Sequence, residues 1–147
     1  MKKLINKLRA AFGLYTSWHY TNIDSSAKIG RRVNIGSYTE IGPEVFIGDD
    51  TRIQAHCFIP KGVIIGKLCF IGPRVTFTND KFPPSTNWQP TLVENGASIG
   101  AGSIILPGVT IGEGARIGAG SVVTKNVPAG ALAFGVPAQI RKSKPIS

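Results

Sequence analysis

An apolar residue returns every six positions from Ile23 to Phe77 without a slip: Ile23, Ile29, Ile35, Ile41, Ile47, Ile53, Ile59, Ile65, Ile71 and Phe77. Gly follows it at Gly30, Gly36, Gly42, Gly48, Gly66 and Gly72, and a small or β-branched residue stands four places on, from Ala27 and Val33 to Cys69 and Val75. A helix needs apolar spacing near 3.6 and a simple strand needs 2, so a period of six is neither by itself. It fits a short strand plus a corner, repeated. The spacing predicts an all-β fold, a parallel β-helix with three hexads per coil and stacked positions eighteen residues apart. The large and the small residue of each hexad point into a narrow triangular core. The residues between them turn the corners, where Gly tolerates angles that others resist.

The phase breaks after Phe77 and resumes at Val93, running through Ile99, Ile105, Ile111, Ile117, Val123 and Ala129. The step from Phe77 to Val93 is 16 rather than 6, so ten residues are inserted into one face. The insertion, KFPPSTNWQPT and its neighbours, carries three prolines and Trp88. Prolines forbid regular pairing and the core has no room for Trp88, so a protruding loop is expected, where repeat proteins often build binding sites. After the loop the corner position holds Gly96, Gly102, Gly108, Gly114, Gly120 and Asn126, all residues that accept left-handed geometry. Before it the same position holds Arg32, Tyr38, Glu44, Asp50 and His56. The later corners leave room for a long thin ligand against the backbone, and relief of corner strain accounts for the pattern equally. The expected organisation is a single domain over 1–147: an N-terminal cap at 1–22, coils at 23–78 and 93–134, the loop at 79–92 and a tail at 135–147.

Residues 2–12 place Leu4, Ile5, Leu8, Ala11 and Phe12 on one helical face, with Lys2, Lys3, Lys7 and Arg9 elsewhere. A short N-terminal helix capping the open first coil is the expected role, ahead of contact with an anionic membrane surface. The net charge of +9 favours anionic partners. Without aromatic interleaving or a known motif, it does not point to nucleic acid. Cys57 and Cys69 are twelve residues apart, hence on different faces, and read as reduced core residues of a cytoplasmic protein. No apolar run approaches the roughly 18 residues of a membrane span, and no signal peptide is expected because Arg9 interrupts the early apolar run.

The hexads, the ending GAGSVVTKNVPAGALAFGVPAQI and the inserted loop resemble the left-handed β-helix acyltransferases of the hexapeptide-repeat family. Left-handedness comes from that resemblance; general crossover rules favour the right-handed form. The resemblance implies a homotrimer using acetyl-coenzyme A, with active sites in the clefts between prisms. FIGPRVTFTNDKFPPSTNWQPTLVENGASIGAGS resembles the branch that acetylates 3-amino groups of nucleotide-linked sugars for surface polysaccharides. Phe70, Ile71, Gly72, Pro73, Phe77, Thr78, Asn79, Asp80 and Pro83 match its run FIGP-x-V-x-FTND-x-x-P-R, whereas Pro84 replaces the arginine. Lys81 or Arg74 is expected to take over that arginine's contact. The resemblance implies that Asn79 holds the acceptor amine and that Asp80 orients it or takes its proton, with Trp88 in the substrate-binding loop.

Acyl transfer needs a placed nucleophile, oxyanion donors and a route for the proton. An alcohol normally requires a base, and the related O-acetyltransferases supply a histidine in or near this loop. Here the loop has none. An amine that titrates near 7.7–8.0, as an ordinary α-amine does, is partly neutral at pH 7 and can do without a base worth about 10²–10⁴-fold. This favours N-acetylation. His56, stacked by the eighteen-residue count between Tyr38 and Arg74, is the remaining candidate base and would serve the alternative, O-acetylation of a sugar or drug hydroxyl. For coenzyme A the expected contacts are the backbone near Ala101 and Ala119, Pro137, and the basic Arg141 and Lys142 for the 3′-phosphate. No metal is expected: the zinc carbonic anhydrases of this fold need three histidines, and the chain has two.

Overall fold

The computed structural model describes residues 1–141. Two-residue strands recur from Thr16–Ser17 to Val122–Val123 and, with the longer strands Leu132–Gly135 and Ala138–Arg141 added to one of them, stack into three faces of eight, six and five strands. The result is a parallel β-helix of about seven turns, consistent with left-handed winding. Neighbours in register are eighteen residues apart, as in Ile35 against Ile53, and across the insertion the step becomes twenty-eight, Phe70 against Ser98. The ten inserted residues therefore leave the stacking intact.

Hydrophobicity decides which way each strand residue points. In Asn34–Ile35, Glu40–Ile41 and Arg52–Ile53 the first residue is exposed and the isoleucine buried. Ile35 through Ile71, Phe77, Val93, Ile99, Ile105 and Ile111 form one column of core side chains. The small inward positions that are polar are satisfied internally: the Thr39 hydroxyl donates to Gln54 O at 3.0 Å and that of Thr51 to Gly66 O at 2.8 Å. Cys57 and Cys69 are buried free thiols, and burial pushes the Cys57 thiol up to about 11.

Glycine has two separate jobs. A side chain at Gly36 or Gly100, right after the buried isoleucine, would strike the backbone of the next coil at Ala55 or Ala119. At the corners the issue is φ, and here glycine is not obligatory. Tyr20, Arg32, Tyr38, Glu44, Asp50, His56, Leu68 and Arg74 all adopt φ of 55–60°.

The last coil departs from the six-residue count. Ala129 does not point inward; the larger Val127 fills that place, buried and bridged to Ile111 sixteen residues back. Asn126 does not share the left-handed geometry of the corner glycines. Its Oδ1 accepts the Thr110 N–H at 2.8 Å, standing in for a strand carbonyl and allowing the shortened turn. Leu132–Gly135 pairs with Arg116–Ile117 and then antiparallel with Ala138–Arg141, which turns the start of the expected tail into a hairpin. Helix α1 (Lys2–Ala11) packs against Thr16–Ser17, and Leu4, Ile5 and Leu8 stay exposed. Among the described residues no helix is long and apolar enough to cross a membrane.

Candidate active site

One corner joins the eight-stranded face to the six-stranded face, and residues eighteen apart make it a column. Tyr20 stacks on Tyr38 with centroids 5.0 Å apart and planes at 16°, and Tyr38 on His56 at 4.9 Å and 14°. Arg74 follows, its N–H donating to Ala55 O at 3.0 Å. Beyond the insertion the same corner is Ala101–Gly102 and Ala119–Gly120, tied by Gly102 N–H to Pro73 O and Gly120 N–H to Ala101 O. A side chain at Gly102 or Gly120 would meet nothing within 4 Å. His56, Arg74, Ala101 and Ala119 thus share one edge of the prism, exposed throughout. Left-handed φ at Tyr38 and His56 costs roughly 1–2 kcal/mol each. The two stacks offset about 0.5–1.5 kcal/mol apiece.

The insertion leaves the next corner, between the six- and five-stranded faces. Thr78 anchors its start, N–H and hydroxyl both donating to Ile105 O at 3.0 Å. Asn79 is half-buried, and its amide has no hydrogen-bond partner among the described residues. Asp80 shapes the turn: it accepts from the Ser85 hydroxyl at 2.7 Å, Ser85 N–H at 2.7 Å and Phe82 N–H at 3.1 Å. The Ser85 hydroxyl, helped by those backbone donors, holds the Asp80 carboxyl below its ordinary value. Such a carboxylate is a good anchor and a weak base. Trp88 donates its indole N–H to Ser85 O at 2.9 Å, leaving its ring half exposed.

Between loop and prism lies a cleft of about 310 Å³ lined by Glu44, Lys61, Gly62, Thr86, Trp88 and Gln89. Lys61 and Glu44 pair on its prism wall at 3.2 Å. A second concavity of about 510 Å³ shares Glu44 and Gly62 and extends over Phe46 and Ile64. Sequence reasoning missed Glu44, Lys61, Thr86 and Gln89. The signal was the eighteen-residue count, which runs Glu44, Gly62, Asp80 and so puts Glu44 on the corner where the loop begins.

The expected site residues therefore fall in two groups on one chain. Asn79, Asp80, Lys81 and Trp88 belong to the loop corner, with Lys81 lying over the Phe82 ring at 5.7 Å. His56, Arg74, Ala101 and Ala119 belong to the aromatic corner, one face away. Pro137 and Arg141 sit on the closing hairpin, where the Arg141 guanidinium covers the Phe134 ring at 4.8 Å. Lys142 lies outside the described residues. Among those described, no group of three or more His, Cys, Asp or Glu is placed to hold a metal ion.

A profile of the bacterial transferase hexapeptide family (six repeats) matches residues 44–79 and 90–125, the runs on either side of the loop. A dTDP-3-amino-3,6-dideoxy-alpha-D-galactopyranose 3-N-acetyltransferase of Aneurinibacillus thermoaerophilus is 44% identical over 51 residues, 35% of this chain and 27% of that protein. A 2,3,4,5-tetrahydropyridine-2,6-dicarboxylate N-acetyltransferase of Staphylococcus aureus is 37% identical over 60 residues, 41% of this chain and 24% of the other. The chain spans about a quarter of the length of these curated relatives. A substituted form of GDP-perosamine N-acetyltransferase from Caulobacter crescentus, in complex with CoA and GDP-perosamine, superposes with a TM-score of 0.79 at 26% identity, covering 94% of this chain and 66% of that one. The two profile matches fall on the hexads that build the prism and stop where the loop interrupts them, and the chain belongs to the bacterial hexapeptide-repeat transferases.

Proposed function

We propose that the protein is an acetyl-CoA-dependent N-acetyltransferase acting on the 3-amino group of a nucleotide-linked (dTDP- or UDP-) amino sugar, for surface polysaccharide biosynthesis. The observation that carries this is the loop itself: it contains no histidine, yet offers the half-buried, uncommitted Asn79 amide at its start and, in the cleft it forms with the prism, an exposed indole face. An amine acceptor needs orientation more than a base, and an amide oxygen accepts its N–H. The relatives that act on amino sugars linked to dTDP or GDP support the substrate class.

The aromatic corner supplies the other half of the site. Ala101–Gly102 and Ala119–Gly120 are bare of bulk, which fits a pantetheine arm lying against the backbone, and the neighbour crystallised with CoA supports the cosubstrate. Arg141, and Lys142 beyond it, would meet the 3′-phosphate by charge-assisted contacts. The amine lone pair attacks the thioester carbonyl, an amide C–N bond forms, the C–S bond breaks, and the amine gives up one proton to solvent. Asn79 and Asp80 position the acceptor, Asp80 through the loop shape it fixes. Lys81 or Arg74 binds its phosphates in place of the arginine that Pro84 displaces, and Trp88 packs on the sugar.

Loop and aromatic corner lie one face apart, so a site using both closes between copies, and a homotrimer is the assembly we infer. Two buried reduced thiols fit a reducing compartment, the cytoplasm. A second reading rests on His56, whose exposed ring is held in place by Tyr38 on the corner that carries Ala101: it makes His56 the base of an O-acetyltransferase. The experiment supplies acetyl-CoA with panels of nucleotide-linked amino and hydroxy sugars and follows thiol release. Turnover confined to hydroxyl acceptors would sink the N-acetylation reading.

A further inference from the structure

The N-terminal end of the prism carries an apolar stripe with nothing over it among the described residues. Helix α1 lines up Leu4 and Leu8, with Ile5 beside them, and Phe12 continues the spacing of four one residue past its end, its N–H donating to Leu8 O at 3.1 Å. Leu4 is 62%, Leu8 54% and Phe12 73% exposed, and none of them joins the core cluster. A cap over the first coil would bury that stripe; here it faces away from the prism. Among the helix side chains described, Lys2 is half-buried and donates from Nζ to Thr21 Oγ1 at 3.3 Å. Thr21 in turn donates to Trp18 O, so Trp18, half exposed, stands beside the helix.

Charge selects the occupant. Residues 1–23 contain four Lys or Arg and no Asp or Glu. By helical position Lys3 and Lys7 flank one side of the stripe and Lys2 the other. Another copy of this chain, itself at +9, is a poor partner for so basic a segment, whereas an acidic surface is attracted to it. A short helix with leucine and phenylalanine on one side, lysine on its flanks and a tryptophan at its edge is built to lie in a membrane interface, apolar side down. We propose that α1, with Trp18, docks the protein peripherally on an anionic lipid bilayer. The inference is independent of the acceptor sugar and of the acetyl-transfer reading.

The test is co-sedimentation of the whole protein with vesicles of phosphatidylcholine alone and of phosphatidylcholine containing about one third phosphatidylglycerol, at low and raised salt. Binding should require the anionic lipid and weaken with salt. K3E/K7E should weaken it by at least about 30-fold, from the contribution of each lysine near an acidic surface. Leu8→Asp should abolish it while the assembly mass by light scattering and the Tm stay unchanged. Failure to sediment with anionic vesicles, or equal sedimentation with neutral ones, overturns the proposal. So does a change of assembly mass in Leu8→Asp, which would make the stripe a contact between subunits.

Discussion

Replacing His56 with Asn separates chemistry from scaffold because the structure makes the scaffold cost small. The substitution removes the stack on Tyr38, centroids 4.9 Å apart, worth about 0.5–1.5 kcal/mol. It also places at φ 60° a residue that tolerates left-handed backbone, recovering up to about 1 kcal/mol of strain. The two nearly cancel. Stability should change by less than about 1 kcal/mol, a Tm shift of no more than roughly 4 °C in a chain of this size. With a partly neutral amine as nucleophile, kcat/KM for the amino sugar should fall by less than about 10-fold, because no base is lost. The rate should still climb with pH through the acceptor's own ionisation, near 7.7–8.0 for an ordinary α-amine. Thermal unfolding and thiol release measured on the same preparations decide the matter. A loss of about 10²–10⁴ in kcat with the fold and KM intact would refute unaided attack and make His56 the base.

Four further outcomes are expected. Ser85→Ala removes the main donor to Asp80, so the Asp80 carboxyl, now held low, should titrate closer to 3.8 by carbon-detected NMR, with a higher KM for the acceptor as the turn loosens. Ala101→Trp adds bulk only to the exposed corner, so Tm should hold while KM for acetyl-CoA rises at least about tenfold; an unchanged KM would move the pantetheine elsewhere. The Cys57 thiol is raised from 9.0 to about 11 by burial, so its contribution is complete below pH 9 and lost as pH rises through 11, up to about 3 kcal/mol. Urea unfolding at pH 8, 9.5 and 11 should show that slope, and Cys57→Val should show a shallower one, since burial raises the Cys69 thiol as well. Gly36→Ala drives a methyl into the Ala55 backbone and should be among the most destabilising single-methyl additions in the chain by Tm, about 1–3 kcal/mol or more; a neutral result would contradict the packing described.

The prism was legible in the sequence because its physics is local and repeated: one inward isoleucine, one small residue, one corner. Eighteen-residue arithmetic even placed His56 on Tyr38 before any ring contact was visible. The count misled at Ala129 and Asn126, where a side-chain oxygen replaced a strand carbonyl and shortened the coil by two residues. Periodicity carries no trace of such a substitution. The cleft was half legible. The insertion announced itself by ten extra residues, but how it folds back depends on one three-bond carboxylate, Asp80, and an indole N–H. The cleft's other wall, Glu44 and Lys61, lies more than twenty residues upstream of Thr86 and Trp88, so only the register could bring them together.

The corners bear on a choice that the sequence left open, namely whether glycine after the loop relieves strain or makes room. Left-handed φ is the same before and after the insertion: 55–60° at Arg32, Tyr38, Asp50, His56 and Arg74, and 65–73° at Gly96, Gly102, Gly108, Gly114 and Gly120. Were strain the deciding effect, the earlier corners would carry glycine as well. Apart from Gly62, at φ 77°, they carry side chains, and those side chains form ladders: Arg32 grips Asp50 with both carboxylate oxygens within 2.7 Å, and Tyr20, Tyr38 and His56 stack. Ladder contacts of this kind offset the backbone cost, so glycine was not the sole solution available after the loop either. At the aromatic corner the change from Arg74 to Gly102 coincides with the coil that carries the insertion, and from there on the edge is open. Room, and not relief, is what distinguishes the two halves of that edge, and a long thin acyl carrier lying on it, one face from the loop, is the ligand that the proposed function assigns to it.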